Sequence, residues 1–431
     1  MKDNDKYFKD IIINTLEFIK IPSIETLGNN QYPFGEGVAS ALKYVLELCE
    51  RLGMRTKNIN NFIGYAEVGE GNEEIGIACH VDVVYVDESK WSVPPFQGVI
   101  VDDKIYGRGS LDDKGPTIAS IFAIKRIMDE FKTIKKRIRI IFSCDEESGW
   151  EDIKVYKKYE KDPTFTIVPD AMFPVINAEK GILHLKIEVK NPYMWLKDIR
   201  GGEQINVVPS SCKVTFSSDI KDLINDEEDN PIRVFTGKSA HASTPHEGEN
   251  AILKALNFVS EIEKLIENKN IFSEIISSLD PYKNKELFLE DHSGCITFNI
   301  GKIETFGNTI AIFIDIRYPV SFTKEHVIEK IKRYFEDIYL INHNSPLFVS
   351  TDNLYLKCLE KAFVSYTEKP FNPISIGGGT LARAFNNAVA FGPVLDPSEN
   401  VAHKDDEFIR VETLIDAYNI YYLALKNILE I

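Results

Sequence analysis

The chain has 431 residues, 44% apolar and 27% charged, a composition that supplies a globular core and excludes a fibrous chain, a wholly disordered chain and a small scaffold that needs staples. With 66 acidic and 50 basic side chains its formal charge is -16, which argues against a general nucleic-acid binder or an anionic-membrane binder but leaves room for a locally positive pocket. At about 150 residues per domain, the length suggests two or three domains.

The N-terminal MKDNDKYFKD has no apolar leader core, and no later run of about 18 apolar residues occurs, so a soluble cytoplasmic protein with no membrane partner is expected. The chain to about Gly53 reads as helical, broken near Pro22 to Pro33. From Gly35 to Leu52 the apolar residues Val38, Leu42, Val45, Leu46 and Cys49 mark one helical face. Short apolar runs at 75–79, 138–142, 165–168 and 182–189 read as strands, and 116–130 reads as a helix between the first two. Buried strands alternating with helices suggest an α/β sheet with covered faces.

The middle of the chain differs. From about Lys186 to Pro370, Cys212, Val214 and Phe216 alternate, Ile310 to Ile316 forms an apolar run, and 250–267 and 323–337 read as helices around a polar patch at 222–230. This is the pattern of a second domain, antiparallel sheet plus helices, inserted into the first. The α/β style then returns, with a helix starting near Thr380, a strand at 388–391 and a long helix at 411–429. The six cysteines (Cys49, Cys79, Cys144, Cys212, Cys295 and Cys358) are widely spaced and form no CxxC motif, which points to buried apolar side chains rather than a disulfide framework or thiolate zinc knot.

Five segments concentrate the unusual residues: CHVDVV with His80 and Asp82, GRGSLDDKGP with Asp112 and Asp113, IIFSCDEESG with Asp145, Glu146 and Glu147, FTIVPDAM with Asp170, and NVAHKDDEF with His403. Each has a plain reading taken alone: a surface turn, a helix cap, a solvated acid, a surface histidine. Together they fall at strand ends and helix starts, where open α/β sheets place ligands. Alternation puts His80 and Asp82 on one side of the chain, where Asp82 could accept the second ring N–H of a ligand histidine. Three adjacent carboxylates repel one another unless cations or burial alter their charge. Histidine, aspartate and glutamate without cysteine suit zinc or another borderline divalent ion. Asp112, Glu147 and Asp170, with one bridging hydroxide, would neutralise two such ions.

The segments HVDVV, GRGSLDDKGP, DEESG, PDAMFPVINAEKG, GGEQINVVPS, GKSAHASTPHEGENA, DIRYP, GGGTLAR and NVAHKDDE, in this order and over nearly the whole chain, resemble the M20 family of metallopeptidases and, within it, the PepV-like bacterial dipeptidase branch. The resemblance implies a catalytic α/β domain with a mixed central sheet (1–185 and 373–431) and an inserted α+β lid domain (186–372). It implies two divalent metal ions per chain, zinc first, with manganese or cobalt as alternatives. His80 and Asp170 match the ligands of one ion, Glu147 and His403 those of the other, and Asp112 the bridging carboxylate. Asp82 matches the residue that orients His80, and Glu146 the general base. His241, favoured over His246 by spacing, matches a histidine that polarises the scissile carbonyl, and Arg317 an arginine that binds the substrate carboxylate. Asn206, Gly378, Thr380 and Arg383 are further candidate substrate contacts.

The implied activity is metal-dependent hydrolysis of unblocked dipeptides. An N-acyl amino-acid deacylase is the first alternative, a short-peptide carboxypeptidase or tripeptidase the next. A non-catalytic peptide-binding protein is disfavoured because Glu146 and Asp112 are both present. In the PepV-like branch an enlarged lid serves in one chain the jobs that a dimer partner shares in other relatives. The long middle segment here, 250–300 in particular, resembles that enlargement. The resemblance therefore implies a self-sufficient monomer, with a homodimer as the alternative, and a small peptide substrate as partner, with no nucleic acid.

Overall fold

The structure is a computed structural model and describes residues 6–224 and 231–431; residues 225–230 of the expected polar patch lie outside the described residues. The chain divides into two compact units, one formed by 1–177, 349–374 and 380–431, the other by 178–348 and 375–379.

The first unit opens with helix α1 (Phe8–Ile19), which buries Ile11, Thr15, Phe18 and Ile19. Helix α2 (Glu36–Arg51) follows and buries Val38, Leu42, Val45, Leu46 and Cys49, the face expected from their spacing. Strands β1 (Arg55–Ile59) and β2 (Ile63–Val68) form a hairpin whose turn places Asn60 and Asn61 at positive φ, a conformation Asn tolerates. Then come β3 (Glu74–His80), α3 (Lys114–Glu130), β4 (Arg137–Ser143), α4 (Glu151–Tyr159) and β5 (Phe165–Val168). The strands β3, β4 and β5 are almost wholly buried, as their unbroken apolar runs require.

The second unit carries β6 (Gly181–Lys190), β7 (Leu196–Gly201), β8 (Ser211–Phe216) and β9 (Ile232–Thr236). It continues with α5 (Ala251–Glu267), α6 (Ile271–Ser278), β10 (Thr297–Phe306), β11 (Thr309–Tyr318), α7 (Lys324–Ile331) and β12 (Asp337–Asn344). Its seven strands pair antiparallel in the order β9-β8-β7-β10-β11-β6-β12. Val214, Phe216, Ile312, Ile314, Leu256 and Val259 share its core. The sequence motif before α5 has a structural duty: Asn250 caps the helix by accepting from Ile252 N (2.9 Å) and Leu253 N (3.1 Å), while its Nδ2 donates to Ile300 O (2.9 Å) on β10. Replacing Asn250 with alanine removes both the cap and the strap to the sheet, and is expected to lower the stability of this unit by about 2 kcal/mol. Thermal unfolding followed by circular dichroism checks this; an unshifted transition would refute it.

The chain then re-enters the first unit with α8 (Leu354–Thr367), β13 (Ala388–Ala390) and α9 (Val411–Glu430). The order β1-β2-β4-β3-β5-β13 runs through six strands of a nine-stranded mixed sheet: β1, β2 and β4 pair antiparallel, and β4, β3, β5 and β13 run parallel. This is the α/β architecture expected. Phe122, Phe142, Phe165, Phe391 and Tyr418 are buried together in this unit's core.

Three local expectations differ from the structure. The helix expected to start near Thr380 is a single 3-10 turn, Leu381–Ala384, capped by Thr380. The helix expected over 323–337 ends at Ile331. The chain rejoins the first unit at Val349 rather than at 373, because α8 packs against α9. All six cysteines are free, five of them buried and Cys295 half-buried. Among the described residues, no helix is long and apolar enough to cross a membrane.

Candidate active site

In the first unit, the parallel strands deliver acids and a histidine to one edge of the sheet. His80 is the last residue of β3 and pairs with Ser143, the last residue of β4. Asp145, Glu146 and Glu147 follow β4, and Asp170 follows β5. These are C-terminal ends of parallel strands, the edge where α/β sheets gather ligands.

His80 is buried, at 1% exposure. Its Nδ1 lies 3.0 Å from the Asp82 carbonyl oxygen and 3.5 Å from Asp82 Oδ1. A carbonyl oxygen can only accept, so Nδ1 carries a proton and Nε2 is the atom presented to the acids. That Nε2 stands 2.8 Å from Asp112 Oδ1 and 3.6 Å from Asp170 Oδ2. The other oxygen of Asp112, Oδ2, stands 2.9 Å from His403 Nε2, which is also 3.1 Å from Glu147 Oε1. Asp112 therefore bridges two imidazoles, one oxygen to each.

The surrounding contacts hold this arrangement from behind. Asp82 Oδ2 accepts from Glu147 N (3.0 Å), tying the β3 end to the turn after β4. Asp113 does not cap α3; its Oδ2 accepts from His80 N (3.2 Å) and Thr117 Oγ1 (3.2 Å). Asp145 is buried and organises the acidic turn, accepting from Ser148 Oγ (2.5 Å), Gly149 N (3.0 Å) and Glu151 N (2.8 Å). Of the three adjacent acids, the first is thus a scaffold for the turn that carries Glu146 and Glu147.

The electrostatics match a cation-binding cluster. Burial pushes the His80 ring towards neutrality, but hydrogen bonds to Asp112, Asp170 and Asp82 outweigh it and hold its pKa well above the ordinary value. Hydrogen bonds to Asp112 and Glu147 raise His403 to about 11 against the opposing effect of burial. Burial would raise Asp112, yet the two histidines hold its carboxyl well below the usual range. Asp170 is raised, first by burial and then by the Asp112 charge. Glu147 is raised by burial against the His403 hydrogen bond. Glu146 is pushed well up, chiefly by burial, with the Asp170 and Glu147 charges adding to it and His80 opposing. Protons on the two imidazoles thus offset part of the carboxylate charge, and metal ions displace protons of this kind on binding. Nitrogen and oxygen atoms of His80, Asp112 and Glu147 lie within 4.8 Å of one another, so these three could hold an ion. A donor set of two imidazoles and several carboxylates fits a borderline divalent cation.

The second unit gathers other predicted residues. His241 Nδ1 accepts from Ser243 N (3.2 Å) and lies 2.6 Å from Ser243 Oγ. Burial, and then the Arg317 charge, lower its pKa, which keeps the ring neutral. Ala242 N donates to Asn206 O (3.0 Å), so the Asn206 and His241 loops are paired. Arg317 is 4% exposed, and Asp315 grips it at two points, Nε to Oδ1 and Nη2 to Oδ2, both 2.6 Å. A third donor, Nη1, reaches Gly377 O (2.9 Å), beside Gly378. A guanidinium has five N–H bonds, so two remain outside these contacts. Asp315 also meets His184 Nε2 at 2.9 Å. Thr380 and Arg383 belong to the first unit, on the 3-10 turn that Thr380 caps. Sequence reasoning singled out Asp113 and Asp145 without giving them a role, and missed Asp315 and Glu407. Their signal is weak but present: each stands within four residues of a site residue, inside a quoted motif.

A mixed sheet with imidazoles and carboxylates converging at its parallel strand ends defines an α/β protein with a candidate metal centre. Residues 76–427 match the model of peptidase family M20/M25/M40, and the chain belongs to that family. It is 34% identical, over an alignment 451 positions long, to a Bacillus subtilis (strain 168) protein named "Putative dipeptidase YtjP", with 97% of each chain covered. Its fold is similar to that of human carnosine dipeptidase 1, with a TM-score of 0.60 and 14% identity over 99% of this chain and 98% of that one. It is also similar to the M20 family metallo-carboxypeptidase Sso-CP2 from Sulfolobus solfataricus, with a TM-score of 0.59 and 19% identity over 97% of this chain and 99% of that one.

Proposed function

We propose that the chain is a metal-dependent dipeptidase that hydrolyses the peptide bond of unblocked dipeptides with two divalent ions, zinc before manganese or cobalt. The observation that carries this reading is Asp112, whose two oxygens face His80 and His403 separately. His80 and Asp170 would hold one ion, Glu147 and His403 the other, and Asp112 both. When bound, such ions lower the pKa of water and polarise a carbonyl. Asp82 keeps the His80 proton on Nδ1, so Nε2 is free for a ligand role. Glu146 takes a proton from the attacking water and passes it to the leaving amine, which needs no covalent acyl-enzyme. A neutral His241 with Nδ1 occupied by Ser243 N carries its proton on Nε2, the donor suited to a developing oxyanion. Arg317, held rigid by Asp315, pairs its remaining N–H groups with the free carboxylate of the substrate. Asn206, Gly378, Thr380 and Arg383 are assigned to further substrate contacts. The name borne by the Bacillus subtilis relative supports the dipeptide as substrate. We assign the activity to a single cytoplasmic chain, for which light scattering on an active sample is the check.

The test is a mass-spectrometric panel of free dipeptides, tripeptides and N-acyl amino acids, each with zinc, with manganese and with chelator. Metal-dependent cleavage confined to free dipeptides is expected. Preferential cleavage of N-acyl amino acids would replace the substrate while keeping the metal chemistry, and chelator-insensitive peptide binding without turnover would remove the enzyme. In the same assay Arg317→Lys is expected to raise KM about tenfold or more while changing kcat less, because lysine cannot offer paired N–H groups. An unchanged KM would free Arg317 from the carboxylate role.

A further inference from the structure

Glu407 is a fully buried carboxylate that the proposed chemistry does not use. It lies four residues beyond His403, on the same turn. Its Oε2 accepts from Arg108 Nη1 (2.6 Å) and Gly109 N (3.1 Å), and its Oε1 from Leu111 N (2.9 Å) and Asp112 N (3.2 Å). Its own carbonyl accepts from Gly107 N (3.0 Å). Four donors match the four acceptor positions of a carboxylate, so the group is fully satisfied. Every one of those donors comes from residues 108–112, the loop that ends on Asp112. The counter-charge is also internal: Arg108 is 2% exposed and its guanidinium lies 5.2 Å from the Trp91 ring centre.

A second contact fixes the same turn elsewhere. Asp406 accepts from Ser92 N and Ser92 Oγ, both at 2.7 Å, on a segment that holds no site residue. The turn is therefore anchored twice, once to the Ser92 segment, whose Trp91 ring packs against Arg108, and once directly to the loop of Asp112.

We infer that Glu407 is a positioning residue for the metal centre: its carboxylate holds the Asp112 loop against the His403 turn and so sets the spacing at which Asp112 and His403 meet an ion. This rests on the metal reading above but not on the choice of substrate. A buried latch that served folding alone would tie the loop to any part of the turn. Glu407 instead grips the backbone N–H of Asp112 itself, while the Asp112 side chain stands 2.9 Å from His403. Partners that orient ligands typically change metal affinity by about 10- to 100-fold when removed.

The test is calorimetric titration of zinc into the full-length, chelator-stripped chain, together with the visible absorption spectrum of its cobalt form. Glu407→Gln keeps the shape but places an NH2 group against backbone or guanidinium donors. It is expected to weaken zinc binding by about 10- to 100-fold and to alter the cobalt spectrum. Asp406→Asn, which disturbs the same turn without touching any of the four donors to Glu407, is expected to leave both readouts as in the parent. If Glu407→Gln does not fold, Glu407→Asp keeps the charge, shortens the reach and carries the same expectation. A folded Glu407 variant with parental zinc affinity and cobalt spectrum overturns the inference. Equal weakening by Asp406→Asn also overturns it, because general loosening of the turn would then suffice. A parental chain that binds no divalent ion would instead overturn the metal reading itself, a distinguishable outcome.

Discussion

Replacing Glu146 with glutamine is expected to cut kcat by about 1,000-fold, within the range general bases contribute, while the variant still binds its ions. The substitution is close to isosteric and removes one property, the capacity to take a proton. The turn that carries Glu146 does not depend on that side chain. Trp150 Nε1 donates to the Glu146 carbonyl (2.9 Å), Asp145 caps the turn, and Glu147 N is held by Asp82. Glu147 and the other proposed ligands therefore keep their places. Burial and the neighbouring Asp170 and Glu147 charges disfavour the ionised form of Glu146 in the metal-free chain. Nearby cations favour that form, which couples its readiness as a base to metal binding. Steady-state kinetics on a dipeptide substrate, with bound metal measured on the same sample, check the prediction. A variant with more than a tenth of the parental kcat would remove Glu146 from the role of base.

The second large effect is expected from Asp112→Asn. Each Asp112 oxygen faces a different imidazole, so an amide must turn an NH2 group towards either His80 or His403. The carboxylate charge is lost as well. Activity is expected to fall by about 1,000-fold or more, and saturating zinc is not expected to restore it, because the proposed two-ion site would lose the ligand its ions share. The parental chain, stripped by chelator, is expected to lose activity and regain it with zinc, manganese or cobalt. Metal content after dialysis is the direct readout. Two ions retained by Asp112→Asn at parental affinity would refute the bridging role.

How much of this was legible in the sequence depends on distance along the chain. The buried strands β3, β4 and β5 are legible as apolar runs, and each run is followed within five residues by a polar site residue. Strand ends bring His80, Glu147 and Asp170 to notice, but taken alone each has a plain reading, and their ligand roles come from the family resemblance. The hairpin β1–β2 was not read, because Arg55, Lys57 and Asn58 give β1 a mostly exposed, polar face. The return to the first unit was placed too late, because α8 has an amphipathic pattern that suits either unit and only its packing on α9 decides. Glu407 was passed over for a similar reason. Its bond to Asp112 N spans 295 residues, and no local pattern separates a buried acid from a solvated one in HKDDE.

The order of elements in the first unit has a consequence for how the protein is made. Strand β13 lies beside β5 and pairs with it, yet it leaves the ribosome more than 200 residues later. Residues 178–348 emerge as one stretch and contain every helix and strand of the second unit's seven-stranded sheet. The inserted unit can therefore complete that sheet while the first unit still lacks β13, α9 and His403. Until then β5 presents an open apolar edge, the kind of surface that recruits chaperones or aggregates. A chain arrested after residues 178–348 have emerged but before β13 would hold a finished second sheet and an unfinished first one, without the His403 that the proposed metal centre needs.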